Sequence, residues 1–139
     1  MKKLIALLVS LALIPSVLTA QEEKFFTTDR ELSSSMINNV YQDSDGVIWI
    51  STEDGLNRYD GAKFTIFRND PNDRKSLKNN YTRLAFEDSK NNLFIATIGG
   101  LQIYNRATGE FNSVPALLTD TSTTFSNVNV ACMTEVEGH

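Results

Sequence analysis

Apolar and polar residues alternate over short stretches of this chain, and clusters of turn-forming residues separate the stretches. The segment 47–52, with the sequence VIWIST, has the β-branched and aromatic composition of a buried strand. Asp, Ser and Gly precede it at 43–46, and Glu-Asp-Gly follows at 53–55, where Gly55 is suited to a positive φ angle. Short strands joined by tight turns predict an all-β fold.

The same pattern returns after 45 residues. Residues 43–60, DSDGVIWISTEDGLNRYD, align without a gap with residues 88–105, DSKNNLFIATIGGLQIYN, and seven of the eighteen positions are identical. Repeats of about 40–50 residues built from short strands are typical of the blades of a β-propeller. We therefore predict an all-β β-propeller fragment of about two four-stranded blades and the start of a third.

Each repeat contains four predicted strands. They span residues 36–42, 47–52, 56–59 and 63–67 in the first repeat, and 81–87, 93–97, 101–104 and 110–114 in the second. The last turn of the second repeat, Ala107-Thr108-Gly109, is two residues longer than its counterpart. This difference makes Phe111 the counterpart of Phe64.

The predicted segments divide the whole chain. They are a signal peptide at 1–20, an N-terminal segment with a ring-closing strand at 21–35, blade 1 at 36–67, an interblade loop at 68–80, blade 2 at 81–114, and a linker with the truncated start of blade 3 at 115–139. In blade 3, residues 135–138 are aligned with residues 43–46, within one residue of register. Since propellers have about four to eight blades, we expect the chain to be the N-terminal piece of a longer protein.

The first twenty residues have the organisation of a secretory signal peptide. Lys2 and Lys3 precede an apolar run from Leu4 to Ile14, and cleavage is expected after Ala20. An uncleaved anchor is the alternative, but the apolar run is shorter than the ~20 residues that a spanning helix needs. We expect a signal-peptide helix and export to the periplasm.

The net charge limits the classes of molecule that the chain can bind, and the single cysteine is a candidate for the core. The chain has 13 basic and 17 acidic residues, and removal of residues 1–20 changes its net charge from −4 to −6. An acidic segment is poorly suited to nucleic acid or to an anionic membrane, so no direct nucleic acid contact is expected. The single cysteine, Cys132, is predicted to be a small buried hydrophobe.

The sequence offers little catalytic or metal-binding chemistry. Asp43 and Asp45 followed by Gly46 resemble the start of a Ca²⁺ loop, but a third oxygen ligand is missing, so a turn between strands is favoured. His139 is the only histidine, which leaves no Ser-His-Asp set and no zinc cluster. We predict no catalytic residue, no metal site and no cofactor, and therefore no enzyme activity in this chain.

Ligand recognition is expected from residues that do not repeat. Trp49 suits stacking on a sugar ring, but its replacement by Phe94 in the second repeat favours a core aromatic instead. Loop residues at one face of the ring are better candidates. These are Arg68, Asn69, Asp73, Arg74 and Tyr81, and the ligand-binding residues are not assigned further.

The string QDSDGVIWISTEDGLNRYDGAKFTIFRNDPND resembles the two-component regulator propeller repeat. The repeat motif residues, interpreted as scaffold, are Asp43, Asp45, Gly46, Trp49, Thr52, Asp54, Gly55, Leu56 and Tyr59 in the first copy and Asp88, Thr97, Gly100, Leu101 and Tyr104 in the second. The second copy departs from the family, since Lys90-Asn91-Asn92 replaces an Asp-Gly turn and Phe94 replaces Trp. Ser51 and Ala96 stand where the family has Gly.

This resemblance implies the N-terminal part of a periplasmic sensor propeller from a Bacteroidetes-type hybrid two-component system. Such proteins carry further propeller blades, a helix in the inner membrane, a histidine kinase and a transcriptional output. The implied ligand is an oligosaccharide, and a homodimer is an expected partner arrangement. Two alternatives stay open: a fragment of an exported propeller lyase or hydrolase that acts on polysaccharide, and a truncated product without function.

Overall fold

The computed structural model describes residues 31–114 and 130–135 of the 139-residue chain. The predicted signal peptide, its cleavage site and the ring-closing strand at 24–28 lie outside the described residues. Within the described ranges there is no helix that is long and apolar enough to cross a membrane.

Eight strands form two four-stranded antiparallel sheets. In chain order they are β1 (Ile37–Gln42), β2 (Ile48–Thr52), β3 (Gly55–Tyr59), β4 (Phe64–Phe67), β5 (Thr82–Glu87), β6 (Leu93–Thr97), β7 (Gly100–Asn105) and β8 (Glu110–Ser113). The sheets have the orders β1-β2-β3-β4 and β5-β6-β7-β8. Every predicted strand lies within one residue of an observed strand at each end. The predicted all-β propeller architecture is confirmed.

The two sheets share their irregularities as well as their order. The pairing of β1 with β2 shifts between Ile37 and Asn39, and the pairing of β5 with β6 shifts between Thr82 and Leu84, at the equivalent positions. A bulge at the start of each first strand is therefore part of the repeat, and it increases the local twist.

The longer last turn of the second sheet does not change the pairing of its outer strands. Tyr59 pairs with Phe64 across β3 and β4, and Tyr104 pairs with Phe111 across β7 and β8. The extra residues thus lie in the turn alone, and the predicted equivalence of Phe64 and Phe111 is confirmed.

An aromatic core joins the facing sides of the two sheets. Trp49 is only 1% exposed, and its ring centroid lies 4.9 Å from that of Tyr104 in an edge-on arrangement. Phe67 and Phe111 complete the cluster, with their ring centroids 5.2 Å apart. Burial of each such side chain contributes roughly 1.5–3 kcal/mol, so the boundary between the sheets is the main apolar core of the described residues.

Buried hydrogen bonds connect the sheets beside this core. The Thr82 hydroxyl accepts a hydrogen bond from the Thr52 N–H at 2.8 Å and lies 2.9 Å from the Gly55 carbonyl oxygen. The first strands β1 and β5 also touch, since the Asn38 amide donates to the Thr82 carbonyl at 2.7 Å. Strands β1 and β5 are therefore the inner strands of two neighbouring blades.

A buried amide holds the segment that enters each blade. The Ser33 N–H donates to the Asn57 side-chain oxygen at 2.8 Å, and the Lys78 N–H donates to the Gln102 side-chain oxygen at the same distance. Asn57 and Gln102 occupy equivalent positions on β3 and β7. The repeat therefore preserves the amide group although the residue changes.

The outer face of the second sheet is covered by other described residues, whereas the outer face of the first sheet is more exposed. Val130 and Met133 pack against Leu84 and Leu101 on the second sheet, whereas Val40 on β1 is 58% exposed. Residues 130–135 form no strand in the described structure, although the third blade was expected to begin there. The prediction of a buried Cys132 is wrong, because this segment is outside any sheet and the thiol is exposed.

Gly55 provides a test of the tight contact between β3 and β4. Its φ is +138°, and a Cβ atom there would lie 2.7 Å from the Phe67 carbonyl oxygen. We expect Gly55→Ala to destabilise the fold by about 3 kcal/mol, since backbone strain and overpacking each cost about 1–3 kcal/mol. Thermal and denaturant unfolding measure the change.

Gly61→Ala is the matched control. Its φ is +92°, but a Cβ atom would meet nothing within 4 Å, so only the strain of about 1 kcal/mol should remain. Equal destabilisation by the two substitutions would contradict the steric explanation.

Candidate functional site

The Asp43 carboxylate organises the first turn of blade 1. Its Oδ1 accepts hydrogen bonds from the Asp45 and Val47 N–H groups at 3.1 and 2.9 Å, and its Oδ2 accepts one from Trp49 Nε1 at 2.9 Å. Both oxygens are occupied by groups of the turn and of the core. Among the described residues, no group of three His, Cys, Asp or Glu side chains is placed to hold a metal ion.

Blade 2 forms the same turn with a different set of donors. Asp88 Oδ2 accepts a hydrogen bond from the Asn92 side chain at 2.8 Å, because Phe94 lacks the N–H that Trp49 supplies in blade 1. Asn91 takes φ +63° at the position of Gly46, and Asn is among the non-glycine residues best suited to that region. The degenerate second copy therefore preserves the turn by compensating substitutions.

The Asp88 turn also has an electrostatic consequence. Burial raises the pKa of the Asp88 carboxyl, but the hydrogen bonds from Asn92 and Lys90 outweigh burial and hold the pKa below its ordinary value. A lowered pKa in the folded state stabilises the fold above the ordinary carboxyl pKa of about 4, and the stabilisation disappears as the pH falls through the folded-state value.

We expect Asn92→Val to destabilise the protein by about 1–3 kcal/mol at neutral pH, because it leaves one Asp88 oxygen without its partner. The additional substitution Phe94→Trp should recover part of this loss by restoring the donor found in blade 1. The effect should shrink in acid, where Asp88 is protonated. Thermal unfolding of the single and double variants at neutral and acidic pH measures these changes. If Phe94→Trp recovers none of the stability lost in Asn92→Val, the explanation by compensating substitutions is contradicted.

Arg106 joins the turns of both blades. Its guanidinium lies 3.3 Å from Asp43 Oδ2, 2.9 Å from Glu87 Oε1 and 3.2 Å from Asp45 Oδ2, and it donates to the Asn91 carbonyl at 2.7 Å. The Asp43 and Glu87 side chains are only 1% and 5% exposed. Two nearly buried carboxylates thus depend on one arginine for their counter-charge.

Sequence reasoning missed Arg106. The position 45 residues earlier is Gly61, so the arginine belongs to no repeat, and it lies in the turn that is longer in blade 2. Two features of the sequence could have pointed to Arg106: it has no counterpart in blade 1, and it lies at the turn that is longer in blade 2. A cavity of about 330 Å³ lies beside it, with Trp49 and Tyr104 in its walls.

A carboxylate–serine pair recurs at each blade boundary. Glu87 accepts hydrogen bonds from the Ser44 N–H and hydroxyl at 2.7 and 2.9 Å. Glu135 accepts the corresponding bonds from Ser89 at 2.7 and 2.6 Å. Glu135 is therefore the counterpart of Glu87, which shifts the aligned residues by one position, within the one-residue register that the sequence alignment allowed.

The interblade loop contains most of the predicted ligand candidates. Asn69, Asp73 and Arg74 line one cleft of about 330 Å³, together with Lys78 and Ser113. The Asn69 side chain donates to the Leu77 carbonyl at 2.6 Å, so part of this set holds the loop in shape.

The remaining two candidates lie elsewhere. Arg68 pairs with Asp54 at 3.1 Å on the surface. Tyr81 precedes β5, where its ring lies under the guanidinium of Arg83, with 5.5 Å between the Arg83 Cζ and the ring centroid. The five candidates are thus not assembled into one site.

The contrast between Arg106 and Arg68 is testable. We expect Arg106→Gln to destabilise the fold by about 3 kcal/mol, because it leaves Asp43 and Glu87 without a counter-charge. Arg68→Gln removes an exposed ion pair and should cost less than about 1 kcal/mol. Chemical denaturation of the two variants compares them, and a similar loss in both would show that Arg106 makes no special contribution.

The chain is similar to one described protein family and to a curated histidine kinase. Residues 31–54 match the family described as two component regulator propeller. The histidine kinase P4 of Formosa agariphila is 44% identical over 54 residues, which are 39% of this chain and 4% of that protein. The chain therefore spans a small part of the length of this curated relative. The predicted resemblance to the two-component regulator propeller repeat is confirmed.

Two solved structures share the fold. The extracellular domain of a protein described as a hybrid two component system from B. thetaiotaomicron is 26% identical, with a TM-score of 0.63 over 75% of this chain and 15% of that chain. A second extracellular domain from the same organism, described as part of a one component system, is 24% identical, with a TM-score of 0.52 over 66% of this chain and 13% of that chain.

Proposed function

We propose that this chain is the N-terminal part of the ligand-sensing propeller of a hybrid two-component sensor kinase. The protein is exported, its propeller lies in the periplasm, and it responds to oligosaccharides by changing transcription. The kinase and the DNA-binding output belong to parts of the protein outside this chain.

One observation carries the proposal. Over 75% of its length the chain superposes on the extracellular domain of a protein described as a hybrid two component system, at a TM-score of 0.63 and 26% identity. The match to the two component regulator propeller family over residues 31–54 and the likeness to a histidine kinase support the same class of protein.

The blade boundary suggests how such a sensor transmits binding. Arg106 pairs with Asp43 of the neighbouring blade, and Glu87 accepts hydrogen bonds from Ser44 of that blade, so a displacement of one blade acts directly on contacts with the other. A ligand can shift the arrangement of the propellers only by the difference in its affinity for two arrangements. In a homodimer, that difference would bias the spacing of the membrane helices and thereby the kinase.

The coding sequence that contains this chain provides the first test. We expect a membrane helix and a histidine kinase after the propeller, and a purified periplasmic part that binds an oligosaccharide without cleaving it. Deletion of the gene should abolish the transcriptional response to that oligosaccharide, measured by quantitative RNA analysis. A secreted protein without a membrane helix, or cleavage of a polysaccharide by the purified protein, would refute the proposal.

A further inference from the structure

An arginine that forms no ion pair with any described residue lies on the inner strand of blade 2. Arg83 is half-buried on β5, and its Nε–H group is buried without any hydrogen-bond partner in the described structure. The arginines Arg58, Arg68 and Arg106 each lie within 4 Å of a carboxylate. Arg83 has no such ion pair with any described residue. A partly desolvated guanidinium without an acceptor is energetically unfavourable.

Arg83 borders a cleft between the two blades, which we call the inner-strand cleft. The cleft has a volume of about 310 Å³ and lies between β1, β5 and the segment 131–133. Its walls include Asn39, Tyr41 and Phe86. None of the described residues that line it is an Asp or a Glu, so these residues supply no counter-charge there.

Tyr81 holds the guanidinium from one side. The Arg83 Cζ lies 5.5 Å from the centroid of the Tyr81 ring, within the range of a cation–π contact. Such a contact attracts the cation without using its N–H groups, so the two terminal Nη groups can still donate to another acceptor, whereas the Nε–H group is buried. Both residues are specific to blade 2, since Met36 and Asn38 stand at the equivalent positions of blade 1.

We infer that the inner-strand cleft binds an anionic group of an oligosaccharide, a carboxylate or a sulfate, through Arg83. The two Nη groups of a planar guanidinium can donate parallel hydrogen bonds to such a group, and Tyr41 and Phe86 offer apolar surface to the sugar ring. The inference rests on the proposed sensor function and specifies the charge of its ligand. The interblade loop cleft is less suited to an anion, because Asp70 and Asp73 line it beside its cations.

The test uses the full-length exported protein and three disaccharide probes: digalacturonate, a sulfated galactose disaccharide and neutral galactobiose. Isothermal titration calorimetry measures binding to the wild type, Arg83→Gln and Arg83→Lys. We expect at least one anionic probe to bind the wild type, with affinity at least tenfold lower in Arg83→Gln and several-fold lower in Arg83→Lys. The two anionic probes separate a carboxylate ligand from a sulfate ligand.

Lys90→Gln is the matched control, because it removes one positive charge from an exposed turn residue outside the cleft. Its affinity for the anionic probe should equal that of the wild type. Arg83→Lys keeps the positive charge but cannot form the bidentate hydrogen bond, so it tests that contact even if Arg83→Gln fails to fold. Circular dichroism monitors the folding of each variant.

Several outcomes would overturn the inference. Equal binding of the anionic probe by the wild type and both Arg83 variants excludes Arg83 as the contact. Failure of the wild type to bind either anionic probe excludes an anion site. Binding of galactobiose alone would also reject the inference while leaving the sensor function intact, whereas cleavage of any probe would reject the sensor function itself.

Discussion

The packing of one blade face against the next is the constraint on which the rest of this structure depends. Each sheet has two apolar faces and can bury them only against neighbouring blades. Trp49 fills the boundary between the two blades, and its indole N–H donates to Asp43, so the core aromatic leaves no buried donor unpaired. Because Asp43 also closes the turn between β1 and β2, the turn and the blade boundary stabilise each other.

Recurring and unique contacts have different roles at this boundary. The carboxylate–serine pair of Glu87 with Ser44 recurs 45–48 residues later as the pair of Glu135 with Ser89, so this contact belongs to the repeat. Arg106 has no counterpart, and it adds a second link between the blades at one place only. A repeat thus provides a uniform frame, and single substitutions within it give each boundary its own chemistry.

The distinction between recurring and unique residues also applies to ligand recognition. Asp43, Trp49 and Thr52 of the repeat motif are committed to turns and core, and their hydrogen-bonding groups are already occupied. A sensor needs side chains whose polar groups are still available, and these arise where one blade departs from the pattern. Arg83 on β5 and the loop residues Arg74 and Lys78 are departures of this kind.

The strands, the turns, the equivalence of Phe64 and Phe111 and the resemblance to the two-component regulator propeller repeat could all be predicted from the sequence, because alternation and turn chemistry act between neighbours in the chain. Which distant groups meet depends instead on how the strands and sheets pack together. Arg106 lies 63 residues from Asp43, and nothing local to either residue signals their contact. The sequence also carried no signal for the exposed thiol of Cys132, or for the lack of an ion pair between Arg83 and any described residue. Burial and ion pairing depend on the side chains that other strands bring nearby, which the local pattern does not specify.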